Sequence, residues 1–460
     1  MTRAPGPRND SHTSVMLGDP RKAIYSTVLP FFISAIISQI NMLADIAWCS
    51  GLGSEYVSAI QTVTPIYWVI FDVGLGIGLG CNVLIARRIG ERNFTEAQKT
   101  VSQGTVLAVV IAIILAPLLF LLIEPMLTWM DATRLLELSV SYLAPVLVCN
   151  VFQVLSPTLS GMLRGEGASS LSNYSLIAGT VANIIMDPIL IYGLGLGVMG
   201  AGIATAASSV ISVIIMIGLY QSGRTYLTMN FRHYRFDFFE FKEIMYVGIP
   251  KMIEMFFMDI LDAFNRTFLI MCGGIDAVTL FTVPWRLIML GVMIPNSFAL
   301  SLTPVSSANI GARKPDKSIT AYRLCLRNTA IISAILVVTY FVLADYLVIP
   351  FIQSESMAEL ETELAEVLRI IVLVIPALGF AYVCNAMLQS MRKPMLSLVV
   401  TTTRTGLSTL MFALLVGTSV PIMCVGMVAA AAISAMTAFI LTSVEIKDLR
   451  ARYGTGTDTI

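Results

Sequence analysis

Charge is scarce in this 460-residue chain: 13% of residues are Asp, Glu, Lys or Arg against 56% hydrophobic, with a mean hydropathy of +0.81. Soluble domains carry about a quarter charged residues, so the composition excludes a soluble globular protein and points to a polytopic membrane protein. Histidine is scarcer still. His12 and His233 both fall in polar segments, which leaves no histidine-based metal centre or catalytic triad to assemble. The seven cysteines (Cys49, Cys81, Cys149, Cys272, Cys325, Cys384 and Cys424) show no CxxC spacing and read as reduced, structural thiols in apolar surroundings. A nucleotide loop of the form GxxxxGK[ST] is missing, so Gly74, Gly76, Gly78 and Gly80 read as positions of close helix packing or bending. The first residues are polar and rich in Pro and Gly, so no cleaved signal peptide is expected.

What the chain does have is long apolar runs. Windows of about 20 apolar residues give twelve spans, at about 24–50, 57–80, 102–123, 136–158, 171–193, 197–220, 244–272, 279–304, 322–348, 364–388, 394–416 and 421–443. With both termini cytoplasmic, the inner segments and the inner ends of the spans (Lys251, Arg323 and Arg327) hold every Lys and Arg except Arg134 and Arg369 outside and Arg266, Arg286 and Arg404 deeper within spans. The positive-inside rule therefore expects a multi-pass protein of the cell membrane with both ends in the cytoplasm. The outer segment carrying Glu355, Glu359, Glu361, Glu363 and Glu366 reads as a solvated face.

The longest polar interruption splits the spans six and six. The expected organisation is a tail at 1–20, a first lobe at 21–220, a cytoplasmic linker at 221–243, a second lobe at 244–445 and a tail at 446–460. Short motifs recur between the lobes. Ala86-Arg87-Arg88-Ile89-Gly90-Glu91-Arg92 after span 2 matches Ser307-Ala308-Asn309-Ile310-Gly311-Ala312-Arg313 after span 8. Met162-Leu163-Arg164 after span 4 matches Met387-Leu388-Gln389 after span 10. Two six-helix halves of equal topology, related by an axis along the membrane normal, suit an alternating-access transporter and disfavour a channel.

Charges placed inside such spans are costly, by at least about 2.5 kcal/mol each, and are read as functional by default. In Asn183-Ile184-Ile185-Met186-Asp187-Pro188 an amide and a carboxylate sit one helical turn apart on one face. Pro188 lacks an N–H, which frees the carbonyl of Ile184. Span directions bring Asn41, Asp45, Tyr142, Asn183, Asp187 and Thr205 to one layer in the outer half of the first lobe. Two carboxylates in one dry pocket cannot both ionise cheaply; a proton or a bound cation relieves the repulsion, and either makes a coupling-ion site. The second lobe lacks this pair, its matching positions falling near Ser408 and Phe412. It carries Glu254, Asp259, Asp262 and Arg266 on span 7 and Arg286 on span 8, open to a structural or a substrate role. Asp72 and Arg404 read as lone buried charges.

At these residues the chain resembles the multidrug and toxic compound extrusion (MATE) family, within the multidrug/oligosaccharidyl-lipid/polysaccharide flippase superfamily. Leu29-Pro30, Asp45, Ala86-Arg87-Arg88-Ile89-Gly90, Gly161-Met162-Leu163-Arg164-Gly165 and the stretch from Asn183 through Gly193-Leu194-Gly195 to Thr205 carry the likeness, which covers about residues 22–445. It looks most like the prokaryotic branch related to the DNA-damage-inducible F proteins. That likeness implies an all-α fold of twelve transmembrane helices in two pseudo-symmetric lobes, with Na⁺ or H⁺ bound by Asp45, Asn183, Asp187 and Thr205, and Asn41 and Tyr142 lining the substrate cavity. Two positions depart from the pattern: Pro157 stands where an amide is expected, and Asp259 lies near the acid of another branch.

The expected activity is secondary export of organic, often cationic or amphipathic compounds in exchange for inward H⁺ or Na⁺, with helix bending at Pro30 and Pro188. No catalytic residue, metal centre, cofactor or nucleic-acid partner is expected beyond the transported ion, and a monomer in the bilayer is the expected state. A lipid-linked oligosaccharide flippase is the alternative; it calls for a more cationic cavity, whereas the charges expected to be buried are six acids (Asp45, Asp72, Asp187, Glu254, Asp259 and Asp262) against three arginines (Arg266, Arg286 and Arg404). An intramembrane enzyme would need a nucleophile–base or metal set that these spans do not supply.

Overall fold

In hydrocarbon every backbone N–H and C=O has to be satisfied within its own segment, so the apolar runs fold as helices. The computed structural model describes residues 11–129, 132–232, 234–351 and 360–453. Arg3, Arg8, His233, Glu355, Glu359 and the end of the C-terminal tail lie outside them. The elements are α1 (Ser11–Leu17), α2 (Pro20–Ser50), α3 (Ser54–Gly90), α4 (Phe94–Trp129), α5 (Leu136–Val148), α6 (Asn150–Gly165), α7 (Ser169–Pro188), α8 (Gly197–Gln221), α9 (Phe238–Gly311), α10 (Pro315–Val342), α11 (Ala344–Val348), α12 (Glu361–Ile371), α13 (Val374–Ser390), α14 (Pro394–Leu415) and α15 (Val420–Tyr453).

Among the described residues ten helices are long and apolar enough to cross a membrane, α12 and α13 together forming one of them. The fourth expected span is a bent pair: α5 and α6 meet at 56° around Cys149. It also runs on to Gly165, beyond the end at 158 read from hydropathy, because α6 is a half-polar helix buried among its neighbours. The 74-residue α9 is two spans joined at Gly273 and Gly274, where the backbone leaves the helix and Gly274 takes φ 68°, a conformation that favours glycine. With α9 counted as two spans and the bent pair as one, the described residues hold twelve candidate spans, the number expected from the sequence.

The chain divides into two compact units, Met1–Met252 and Ile253–Ile460, the division falling within α9. In the second unit the core gathers Leu269, Ile288, Leu368, Ile371, Phe412 and Met423. The first unit is threaded by α3, whose alternate glycines serve two neighbours. Gly74 and Gly78 face α6, where a Cβ on Gly74 would lie 2.6 Å from the Val154 carbonyl oxygen and one on Gly78 at 2.5 Å from that of Pro157. Gly76 faces the start of α9, with the Gly248 carbonyl at 2.8 Å. Backbones this close admit no side chain, which agrees with the packing role read from the sequence.

The internal repeat is written in the backbone. Arg92 after α3 and Arg313 after α9 both adopt φ 58°, and Gly167 after α6 (φ 86°) is matched by Arg392 after α13 (φ 59°). The same closing bonds follow each. The N–H of Asn93 reaches the Arg88 carbonyl at 2.8 Å, as Lys314 reaches Asn309, Ala168 reaches Leu163 and Lys393 reaches Leu388, each at 2.9 Å. This is the six-to-one bond of a Schellman turn, which satisfies an orphan carbonyl at each helix end.

The polar stretch between the halves is fastened to the first unit. Leu227 N–H donates to Glu166 Oε2 (2.9 Å), Thr228 N–H to Gln98 Oε1 (2.9 Å) and Tyr234 hydroxyl to Gln103 Oε1 (2.9 Å). Lys99 pairs with Asp237, and Arg88 grips Glu240 in a two-point contact at 2.6 and 2.7 Å. The two-point geometry is the strong form of the pair, and both partners are shielded from water. We call residues 225–240 the strap.

This packing can be tested at two positions. In Gly161→Ala a Cβ would sit 2.6 Å from the Gly78 Cα, with backbone on both sides and nothing able to yield. The variant should lose about 3 kcal/mol or more, read as a large fall in thermal midpoint in detergent. Burial pushes the carboxyl of Glu166, in the loop between α6 and α7, up to about 7, against the opposing pull of Leu227 N–H and the Tyr220 hydroxyl. A raised carboxyl favours the folded state at acid pH and loses that contribution as pH rises through about 7. Relative to Glu166→Gln, the wild type should therefore lose about 3 kcal/mol between pH 4.5 and pH 8, measured by unfolding across that range.

Candidate coupling-ion site

Two helices bring carboxylates together. Asp19 caps α2, its Oδ1 accepting from Arg21 N–H at 2.9 Å, and Pro20 occupies the first turn, where a missing N–H costs nothing. Further along, Asn41 and Asp45 share one face, and Asn41 Nδ2 donates to Asp45 Oδ2 at 3.1 Å. On α7, Asn183 and Asp187 are 3% and 2% exposed. With its amide turned so that each end meets a complementary partner, Asn183 donates to Asn41 Oδ1 (2.8 Å) and to Asp45 Oδ1 (3.1 Å). Its oxygen then accepts from the Thr205 backbone N–H at 3.3 Å. The carboxyl groups of Asp45 and Asp187 lie within hydrogen-bonding reach of each other, and the buried Oδ2 of Asp187 has no other partner among the described residues.

Local irregularity sets this geometry. Pro188 ends α7 and withholds an N–H from the Ile184 carbonyl, and the chain continues as a π-turn over Ile189–Gly193. Leu194 N–H returns to the Ile189 carbonyl at 2.9 Å before α8 begins at Gly197 and delivers Thr205. The Tyr142 hydroxyl, from α5, bonds the Thr205 side chain.

A cleft of about 390 Å³ opens on these groups, lined by Asp45, Cys49, Gln61, Tyr142, Asp187 and Thr205 together with Val57, Ile60 and Ala201. An apolar cluster of Cys49, Ile191 and Ala201 with Leu52 and Ile60 packs alongside. There the Tyr192 hydroxyl bonds the Trp48 carbonyl, and the two rings meet edge to face at 6.4 Å.

The structure thus brings Asn41, Asp45, Tyr142, Asn183, Asp187 and Thr205 to one place, with Pro188 beside them. Pro30 lies inside α2, away from this group. Sequence reasoning missed Gln61 and Gln153. Gln153 is 2% exposed on α6, one turn before Pro157; its Nε2 donates to the Thr205 carbonyl (3.3 Å), and its Oε1 accepts from the Ser209 hydroxyl (2.7 Å). The available signal was an amide in the run Asn150-Val151-Phe152-Gln153, one turn away from the position where Pro157 replaces the expected amide.

The second unit differs from expectation in exposure. Glu254 is buried, whereas Asp259, Asp262, Arg266 and Arg286 are exposed. The expectation that Asp259, Asp262, Arg266 and Arg286 are buried charges is therefore corrected: hydropathy places a residue in depth along a helix and says nothing of the face it occupies. Asp262 pairs with Arg266 at 3.0 Å along the same helix. Arg286 joins neither in an ion pair among the described residues. Asp72 is buried, and the part-buried Arg404 places Nη2 3.8 Å from the Met258 sulfur.

Helices long and apolar enough to cross a membrane, with a carboxyl pair sunk in the first unit, are the build of a membrane transporter. The MatE family model matches residues 30–189 and 250–415, and the chain belongs to that family of multidrug efflux transporters. It is 23% identical over 372 residues to the multidrug export protein MepA of Staphylococcus aureus (strain MSSA476), covering 80% of this chain and 81% of that one. MepA of Staphylococcus haemolyticus (strain JCSC1435) is 24% identical over 371 residues, with the same coverage. A solved MOP superfamily transporter from Pyrococcus furiosus Vc1 (DSM3638), described as having a binding pocket of reverse polarity, superposes with a TM-score of 0.91. It shares 28% identity over 96% of this chain and 99% of its own. A MATE solved in the bent conformation gives a TM-score of 0.90 at 27% identity, with the same coverage.

Gln153→Leu should strand the Ser209 hydroxyl and loosen the turn that carries Thr205. We expect a loss of about 1–3 kcal/mol in stability, read by thermal unfolding of the purified protein.

Proposed function

We propose that the chain exports organic, often cationic or amphipathic compounds in exchange for an inward proton bound at Asp45 and Asp187. The carrying observation is that two carboxyls meet in a buried pocket, one of them with an oxygen facing no other partner. Their surroundings are unequal. Asp45 receives N–H donors from both Asn41 and Asn183. The Oδ2 of Asp187 is buried with no partner among the described residues beyond its neighbour, so in our reading Asp187 carries the proton that the pair shares. A sodium ion needs a shell of oxygens, and here two amide nitrogens point inward while the Asn183 oxygen is occupied by Thr205 N–H. That supports a proton over sodium.

In this reading the first lobe faces outward at its carboxyl layer, with Arg87, Arg88, Arg92, Arg313, Lys314, Arg392 and Lys393 marking the cytoplasmic ends and both termini inside. Protonation neutralises the pocket, removes the reason to hold a cationic compound near it and favours release to the outside; bending of α2 at Pro30 is the proposed structural response. Asn183 and Thr205 position the pair, and Asn41 and Tyr142 line the cavity. The exposed Asp259, Asp262, Arg266 and Arg286 remain assigned to substrate contact or lobe support.

Vesicles carrying the protein and a fluorescent cationic dye, with pH and Na⁺ gradients imposed separately, test this. A pH gradient alone should drive efflux, and Asp187→Asn should reduce it by about a hundredfold or more while dye binding persists. Efflux driven only by the Na⁺ gradient would overturn the choice of ion, and full coupled efflux in Asp187→Asn would overturn the site.

A further inference from the structure

The strap segregates its residues by side. Toward the first unit it presents Thr228, Asn230, Tyr234, Asp237 and Glu240, each bonded to α3 or α4: Thr228 to Gln98, Asn230 carbonyl to Ser102, Tyr234 to Gln103, Asp237 to Lys99, Glu240 to Arg88. Tyr226 adds an edge-on ring contact with Phe94 at 5.3 Å. Away from the unit it presents Phe231, Phe236, Phe238 and Phe239, exposed by 45%, 61%, 59% and 67%, interleaved with the exposed Arg232, Arg235 and Lys242. Lys242 lies over the Phe238 ring at 4.8 Å, and Phe238 stacks on Phe241 at 5.9 Å.

The two acids of this stretch are both turned inward and spent on ion pairs, so its outer face carries cations and aromatic rings. The face lies where the chain enters α9, which spans the membrane, so it sits at the level of the lipid headgroups. Rings at that depth partition into the boundary between headgroup and acyl chain, and basic residues beside them meet lipid phosphates. We infer that residues 231–232 and 234–242 form an interfacial anchor that binds anionic lipid headgroups, with Arg232, Arg235 and Lys242 as the phosphate-binding groups and Phe236 and Phe239 as the wedge. The fastened inner side explains how so short a segment holds this face in place: Thr228, Tyr234, Asp237 and Glu240 tie it to α3 and α4.

The full chain in nanodiscs of phosphatidylcholine, with and without phosphatidylglycerol, tests the assignment by native mass spectrometry of retained lipid and by hydrogen exchange across 231–242. The wild type should retain phosphatidylglycerol and gain protection in that segment. The triple variant Arg232→Gln, Arg235→Gln, Lys242→Gln should lose about a hundredfold in affinity for the anionic lipid. Phe236→Ser with Phe239→Ser should weaken protection in both lipid mixtures. Free inorganic phosphate or glycerophosphate should not compete; competition would overturn the lipid as the ligand. Equal retention of phosphatidylglycerol by wild type and the charge variant would overturn the proposal, as would a Phe variant that shifts only from dimer to monomer. Should a variant fail to fold, salt titration of the wild type takes its place: retention must fall as ionic strength rises, and retention indifferent to salt contradicts the phosphate contacts.

Discussion

A backbone that leaves helical geometry within hydrocarbon has to find new partners for the groups it frees, and this constraint governs where the chain can bend. At Cys149 the break between α5 and α6 sits beside Asn150, whose Nδ2 donates to the Ala112 carbonyl at 2.7 Å and ties the bend to α4. At Pro188 the lost bond is followed by a π-turn that closes on its own carbonyls. Each break of the first unit also aims a polar group: α6 presents Gln153 to Thr205, and α7 ends with Asp187 against Asp45. The site is thus a product of the same irregularities that the bilayer makes costly.

Its electrostatics depend on inequality between two like groups. Two carboxylates with identical neighbours would share their instability. Here the amides of Asn41 and Asn183 both turn to Asp45, and Asp187 is left facing its counterpart in a pocket screened by Cys49, Ile191 and Ala201. Under the proposed reading, such a pair would respond to one proton with a full change of charge, in surroundings where the low dielectric magnifies the effect.

The spans, the repeat and the Asn183–Asp187 spacing were legible in the sequence because each rests on a periodicity or on the cost of a charge in an apolar run. Gln153 and Gln61 were not, since a single neutral amide in a helix carries little such cost and its partner is chosen by packing. The outward turn of Asp259 and Asp262 was hidden for a related reason: exposure depends on neighbouring helices. The strap read as a plain linker because its residues alternate in purpose without a regular period. The repeat, faint in the letters, is plain in the left-handed turns at Arg92, Arg313 and Arg392, where a bulky side chain is kept in a conformation that usually calls for glycine.

The π-turn after Pro188 bears on how this chain tolerates change. A helix advances about 100° per residue, so one extra residue looped into a turn rotates everything beyond it relative to what came before. Asp187 and Thr205 lie on opposite sides of that offset, and the glycines at 195 and 197, with φ 64° and 56°, complete the reversal between them. The connection therefore fixes the phase between a carboxylate and its neighbour by its length rather than its chemistry. Side chains along it can drift, whereas the gain or loss of one residue would put the whole pocket out of step.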